Sequence, residues 1–143
     1  MSTRTFVVEA GHIMMFERGL GAAASYRADA LAPLTFTQAA AHHDPHSPLR
    51  PQPGTAWKGS GRAVSGVPTD PGAGEGRLHA EQHFEYRRHV RAGETLSMAT
   101  LPGRSWTKQG SSATLEFDEE ITEFRDQGGE VVVLSRIVRV RRR

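Results

Sequence analysis

The stretch LHAEQHFEYRRHVRAGETL, residues 78–96, decides the fold. Its first half alternates: His79, Glu81, His83 and Glu85 fall on one side of an extended chain, and Ala80, Phe84 and Tyr86 on the other. A period of two is the mark of a strand with one face in a core. Arg91-Ala92-Gly93-Glu94 then reads as a turn, and TLSMATLPGRSWTK (residues 95–108) as a second strand. SATLEFDEEITEF (residues 112–124) and EVVVLSRIVRV (residues 130–140) follow, separated by Asp126-Gln127-Gly128-Gly129, a strong hairpin turn. Four long antiparallel strands are therefore expected over the second half of the chain.

The first half reads differently. A short strand at residues 5–8 precedes a helix over residues 9–20, whose apolar positions Ile13, Met14, Phe16 and Leu20 fall mainly on one face and whose end is marked by Gly19 and Gly21. A second helix is expected at residues 34–43, with Pro33 near its first turn, where a missing N–H costs nothing. Residues 44–76 then hold six of the eight prolines, Pro45, Pro48, Pro51, Pro53, Pro68 and Pro71, with Trp57 among them. Such a long loop is usually functional or mobile, and an indole within it generally packs against something. Helices followed by a run of antiparallel strands give an α+β class. A length of 143 residues makes one domain, residues 1–143, with a modest core at 37% hydrophobic residues.

Composition narrows the function. There is no Cys, which excludes disulfides and thiol chemistry. No signal-peptide pattern, membrane-length apolar run, G-x-G-x-x-G or P-loop is present, so a cytoplasmic protein with no cofactor and no membrane contact is expected. The net charge is +2, with excess base at Arg136, Arg139, Arg141, Arg142 and Arg143. That cluster reads as a solvated terminus or as a contact for phosphate or an acidic carrier protein. No aromatic platform accompanies it in the sequence, which counts against nucleic acid.

The chemistry-bearing residues form no decisive constellation. His42-His43-Asp44-Pro45-His46 matches no standard zinc spacing and no metal site is expected. His79, Glu81 and His83, on one face of one strand, form the alternative acid–base set, against a plain reading as the solvent side. Ser60, Ser65 and Ser105 lack a nucleophile elbow. Glu119 falls between Phe117 and Ile121 on the apolar side of its strand, and a bulge that shifts the register is the simpler explanation than a buried catalytic carboxylate.

Four segments carry a resemblance. VEAGHIMMFERGLG (residues 8–21), APLTFTQAAAHHD (residues 32–44), LHAEQHFEYRRHVRAGETL (residues 78–96) and TEFRDQGGEVVV (residues 122–133) are similar, in order, to the MaoC-like acyl dehydratases, specifically the N-terminal-type FAS1-like dehydratase domain. The resemblance implies a single hotdog domain, an antiparallel sheet wrapped around a central helix, pairing with a second hotdog and binding acyl-thioesters between them. Active members carry Gly-Asp-x-Asn-Pro-x-His after the first helix, its Asp and His serving the reversible dehydration of a 3-hydroxyacyl thioester. Here that segment reads Gly21-Ala22-Ala23-Ala24-Ser25-Tyr26, without Asp or His. The link over residues 26–32 is also short for the family, His89 stands where Pro is common, and Glu94 replaces a common Asp.

The resemblance thus implies a subunit with no catalytic residue of its own, lending tunnel surface to a catalytic hotdog partner in a heterodimer. Pro33, Thr35, Phe36, Gln38 and Trp57 would lie near the shared tunnel, and Arg88, Arg91 and Arg139 would meet the phosphates of acyl-CoA or an acyl-carrier protein. A self-dimeric hydratase or thioesterase working through His79, Glu81 or His83, and a pure acyl-binding module, stay open beside it.

Overall fold

In the computed structural model, which describes residues 4–43, 53–54 and 77–143, five strands form one antiparallel sheet. The strands are β1 (Arg4–Val7), β2 (Arg77–Tyr86), β3 (Thr95–Gln109), β4 (Thr114–Arg125) and β5 (Val131–Arg142), in spatial order β1-β3-β4-β5-β2. The turn residues foreseen in the sequence lie at two strand junctions, β2 to β3 and the β4–β5 hairpin. Gly93 and Gly129 sit at φ 91° and 85°, a conformation that favours a residue without a Cβ. The Asp126 carboxylate accepts from the N–H groups of Gly128 (3.0 Å) and Glu130 (3.1 Å), which fixes the β4–β5 turn.

Helix α1 (Ala10–Gly19) starts where β1 ends and stops at Gly21, whose positive φ lets the chain turn while its N–H returns to the Arg18 carbonyl at 2.9 Å. The second helical segment is Phe36–His43, and it is 3-10 rather than α. Its opening bonds run three residues back, Phe36 N–H to Pro33 carbonyl (2.9 Å) and Gln38 N–H to Thr35 carbonyl (3.0 Å). The helix expected over residues 34–43 is thus in place, begins two residues later and is wound more tightly. Strand β2 ends at Tyr86, short of the expected Val90, because the chain there changes partner. The Val90 carbonyl accepts from Ala32 N–H (2.8 Å) and Ala92 N–H donates to the Ala30 carbonyl (2.9 Å), so the link before the 3-10 helix is sewn to the turn before β3.

The core lies where both helical segments cover one end of the sheet. Phe6, Ile13, Phe36, Leu96, Val90 and Val133 are fully or almost fully buried there. Phe36 is the hub, with ring centroids of Phe6 at 5.6 Å, Phe16 at 5.4 Å and His12 at 5.1 Å. Aromatic pairs in tilted or edge-to-face contact add to what area burial alone contributes.

Three register shifts interrupt the described sheet, and two of them set which candidate side chains share a face. One lies on β2, where the register shifts between His79 and Glu81. His79 is paired with Arg139 and faces the core side, whereas Glu81 and His83 are paired with Val138 and Arg136 and face outward. The expected common face for His79, Glu81, His83 and Glu85 is therefore corrected: the bulge at Ala80 removes His79 from it. The other lies on β3, where Gly103 and Arg104 together oppose Glu119. Strand β4 itself runs without a shift past Glu119, so the carboxylate does stay on the Phe117 and Ile121 side.

Candidate functional site

The segment that follows α1 is held in a defined shape. The Arg18 guanidinium donates to the Ala24 carbonyl at 2.9 Å, and Arg27 closes over it onto Glu17 at 2.9 Å. Between those clamps, Ala22, Ala23, Ala24 and Ser25 offer no acid and no base. The link then runs through Ala30 and Ala32, both buried, to Pro33 and the 3-10 helix. Tyr86 of β2 donates its hydroxyl to the Leu34 carbonyl and so anchors the start of that helix. Burial pushes the Tyr86 phenol up from its ordinary value, with the nearby Thr37 hydroxyl pulling the other way.

Of the expected tunnel residues, Pro33 is half-buried and Thr35 and Gln38 are exposed on this side of the sheet. Phe36 is 0% exposed and belongs to the core, so it supports the surface from beneath and does not form it. Trp57 lies outside the described residues, as do the side chains of His42, Asp44 and their neighbours. Met15 (59%) on α1, Leu20 (63%) and Tyr26 (65%) on either side of the loop in sequence, and Leu34 (56%) before the 3-10 helix face solvent. His12 was not singled out from the sequence, yet it is the imidazole set against Phe36. The signal for it was its spacing, four residues before Phe16 on one helical stripe.

The expected acid–base set divides. Glu81 and His83 do meet, at 2.8 Å, on the exposed outer face beside a shallow pocket of about 380 Å³ shared with Glu85, Ile121, Leu134 and Arg136. His79 points to the other side of the sheet. Glu119 is buried, its side chain 3% exposed, and is held by Arg104 (3.0 Å) and Arg136 (2.7 Å). Hydrogen bonds from the Arg104 guanidinium and backbone N–H, then from Arg136, pull its carboxyl down to about 2. An acid held that low and already saturated with donors is a structural anion and a poor general base. Among the described residues no group of three or more His, Asp or Glu converges on a point that could hold a metal.

The expected phosphate contacts are unequal. Arg139 is committed to Glu120 (2.9 Å) and Asp118 (3.9 Å) on the inner face, so it is no open phosphate contact, a correction with a plain electrostatic cause. Arg88 bridges Glu94 (2.8 Å) and Asp126 (3.2 Å), holding the turn before β3 to the β4–β5 turn. Arg88 also lines an open pocket of about 510 Å³ with Arg87, Arg125 and Val131. Arg91 is exposed at the sewn junction beside Leu31.

With this geometry in hand, comparisons with solved structures identify the architecture. The C-terminally truncated HadBC (3R-hydroxyacyl-ACP dehydratase) complex of Mycobacterium tuberculosis matches at TM-score 0.57 and 15% identity, over 97% of this chain and 94% of that one. The ChsH1–ChsH2 complex of the same organism matches at TM-score 0.62 and 16% identity, over 99% and 87%. The R-hydratase PhaJ1 of Pseudomonas aeruginosa, unliganded, matches at TM-score 0.51 and 13% identity, over 96% and 77%. The fold is the hotdog, as the resemblance implied. No curated protein matches the sequence. The model of the FAS1-like dehydratase domain region matches residues 1–135. The chain belongs to the FAS1-like dehydratase domain family.

Proposed function

We propose that this chain is the non-catalytic subunit of a heteromeric (3R)-hydroxyacyl-thioester dehydratase, equivalently an R-specific enoyl-thioester hydratase. The observation that carries the reading is the segment after α1. It has a glycine turn and two arginine clamps, and it reads Ala22-Ala23-Ala24-Ser25 where the resemblance places an acid and a base. A chain under no demand to present that loop has no need of such clamps. In this reading the loop is a surface for a sister hotdog that brings Asp and His.

The exposed apolar side chains support it. Met15, Leu20, Tyr26 and Leu34, on α1 and on the segments that lead from it to the 3-10 helix, are exposed and would be buried against a partner. Relatives of the same fold occur as the two-component complexes HadBC and ChsH1–ChsH2, which fits a hotdog partner. Pro33, Thr35 and Gln38 would border the shared acyl tunnel. Arg91, exposed at the junction with Leu31, would meet the phosphates of a CoA or carrier-protein thioester, and Arg88 would join it in exchange for Glu94 or Asp126. The complex would be a cytoplasmic lyase of fatty acid metabolism.

The test follows enoyl absorbance as crotonyl-CoA and a longer trans-2-enoyl-CoA are hydrated. The chain is assayed alone and co-purified with a hotdog subunit bearing the intact Asp and His. Turnover that needs both chains, and that disappears when the sister's Asp is replaced, is the expected result. Turnover by this chain alone would overturn it. One observation favours a second reading in that event: Glu81 and His83 already meet at 2.8 Å beside an open pocket. His83→Gln would then abolish activity.

A further inference from the structure

The outer face of the sheet carries a second feature that the acyl-thioester reading does not use. Trp106 and Phe117, eleven residues apart in sequence, are directly opposed on β3 and β4, and their rings stack at 5.1 Å with an interplanar angle of 2°. The cross-strand register continues the row through Val140 on β5 to Leu78 on β2, which is 70% exposed. Four strands carry this apolar row across about 14 Å.

Cations flank the row on both sides. One step along the strands lie Lys108 and Arg142, both exposed and paired in register with Leu115. One step the other way lies Arg104, its side chain 77% exposed. Arg104 sits 5.7 Å over the Trp106 ring and Lys108 sits 5.5 Å over the Phe117 ring. Two carboxylates stand in the Arg104 row: Glu119, buried and saturated by Arg104 and Arg136, and Glu81, exposed at its β2 end and bonded to His83. Against them stand Arg104, Arg136, Lys108 and Arg142, so the net charge of the described patch is positive. The two flanking rows are about 13 Å apart, four residues along a strand.

We propose that this face is a docking site for an acidic amphipathic helix of a partner protein. The dimensions and the charge select that occupant. An α-helix is about 10–12 Å across, so one laid over the apolar row fits between the cation rows, and about ten residues span its length. Its apolar stripe meets Phe117, Trp106, Val140 and Leu78, and carboxylates on both flanks meet Lys108, Arg142 and Arg104. A second copy of this chain would bring like charges together on this face. Single-stranded nucleic acid needs an open aromatic face for its bases, and here each ring has its neighbour on one side and a cation over it. The expectation that no aromatic platform accompanies the C-terminal arginines is corrected by the same register: the fold sets Arg142 one step from the Trp106–Phe117 stack.

The experiment uses the full chain in isotope-labelled form and a fluorescent helical peptide with leucines on one stripe and glutamates on both flanks. Controls are a peptide of the same composition with a scrambled pattern, a dT oligonucleotide and phosphatidylserine vesicles. The patterned peptide should bind, shift the amide resonances of residues 104–108, 115–119 and 138–142, and weaken about tenfold in K108E/R142E, which a change of about 1.4 kcal/mol produces. K108Q/R142Q, checked by thermal melting, covers the case in which the charge reversal unfolds the chain. Equal binding of the scrambled peptide, tighter binding of the oligonucleotide or the vesicles, shifts confined to another face, or no response to either double variant would each overturn the proposal.

Discussion

The two ends of the sheet are built from the same strands and held by different forces. At the helical end, the inner face of β3, β4 and β5 presents Leu96, Met98, Phe124 and Val133 to Phe36 and α1. Farther along the same strands, the same face presents Glu116, Asp118 and Glu120 to Arg139 and Arg141. The first end is a dry core that needs the whole chain to close it. The second is a ladder of cross-strand ion pairs, complete within one hairpin and indifferent to the helices. The outer face repeats the distal pattern in sharper form, with Glu119 sunk between two arginines and a stacked aromatic pair beyond it. A strand can therefore switch from packing to pairing within its own length. The site proposed for the acyl partner lies on the packed end, and the helix-docking face on the paired one.

Substitutions should separate these forces. The largest effect is expected at the core. Phe36→Ala should cost about 3–5 kcal/mol, read from the denaturant midpoint, because three rings lose their shared neighbour. A cost near that of an exposed position would break the contrast.

Next comes the buried anion of the paired end. The Glu119 carboxyl titrates at about 2 in the folded chain. The unfolded carboxyl titrates at about 4.3, so between those values the unfolded state holds more protons. The stabilisation is whole above the ordinary range and drains away as pH falls toward 2. Denaturant midpoints of Glu119→Gln should therefore be lower than wild type at neutral pH and converge with it in acid. Parallel pH profiles would show that the pairing does not stabilise the fold.

Gly103→Ala tests whether the paired end is also close-packed. A Cβ there would lie 2.6 Å from the Glu119 Cβ, and relieving that clash should cost about 1–3 kcal/mol. The smallest change is expected from Arg139→Gln, about 0.5–1 kcal/mol, since each rung of the inner ladder is a partly solvated pair. A rung as costly as Phe36 would mean that the two ends are not so different after all.

How far the sequence disclosed all this follows from the range of each interaction. The strands, their turns at Gly93 and Gly129, and α1 with its stop at Gly21 are local patterns, and they were legible. The tighter winding of Phe36–His43 was not, because α and 3-10 turns draw on the same residues and differ only in which carbonyl is reached. The bulge at Ala80 escaped the period-two reading, and the one expected at Glu119 lies on β3 opposite it, not on β4. Nothing about Ala80 announces an extra residue, and Gly103 announces its own only once Glu119 is known to stand opposite. The Trp106–Phe117 stack and the capture of Arg139 depend on register between distant strands, which residue spacing does not encode. The proposal for the loop after α1 rests on the sequence itself, on Ala22-Ala23-Ala24-Ser25 where the family resemblance places an acid and a base.

Strand β1 has one further consequence, for synthesis on the ribosome. Arg4 faces Met98 and Val7 faces Thr95, so the first of these five strands to be made waits some ninety residues for its partner. Strand β2 waits similarly for β5, with His79 opposite Arg139. The β4–β5 hairpin, by contrast, closes through a local turn. Contacts at such separations slow folding, and they make the nascent chain assemble backwards: the hairpin made last forms first, and the α1 half, with Phe36, joins it afterwards. Until then its apolar side chains stand open to chaperones.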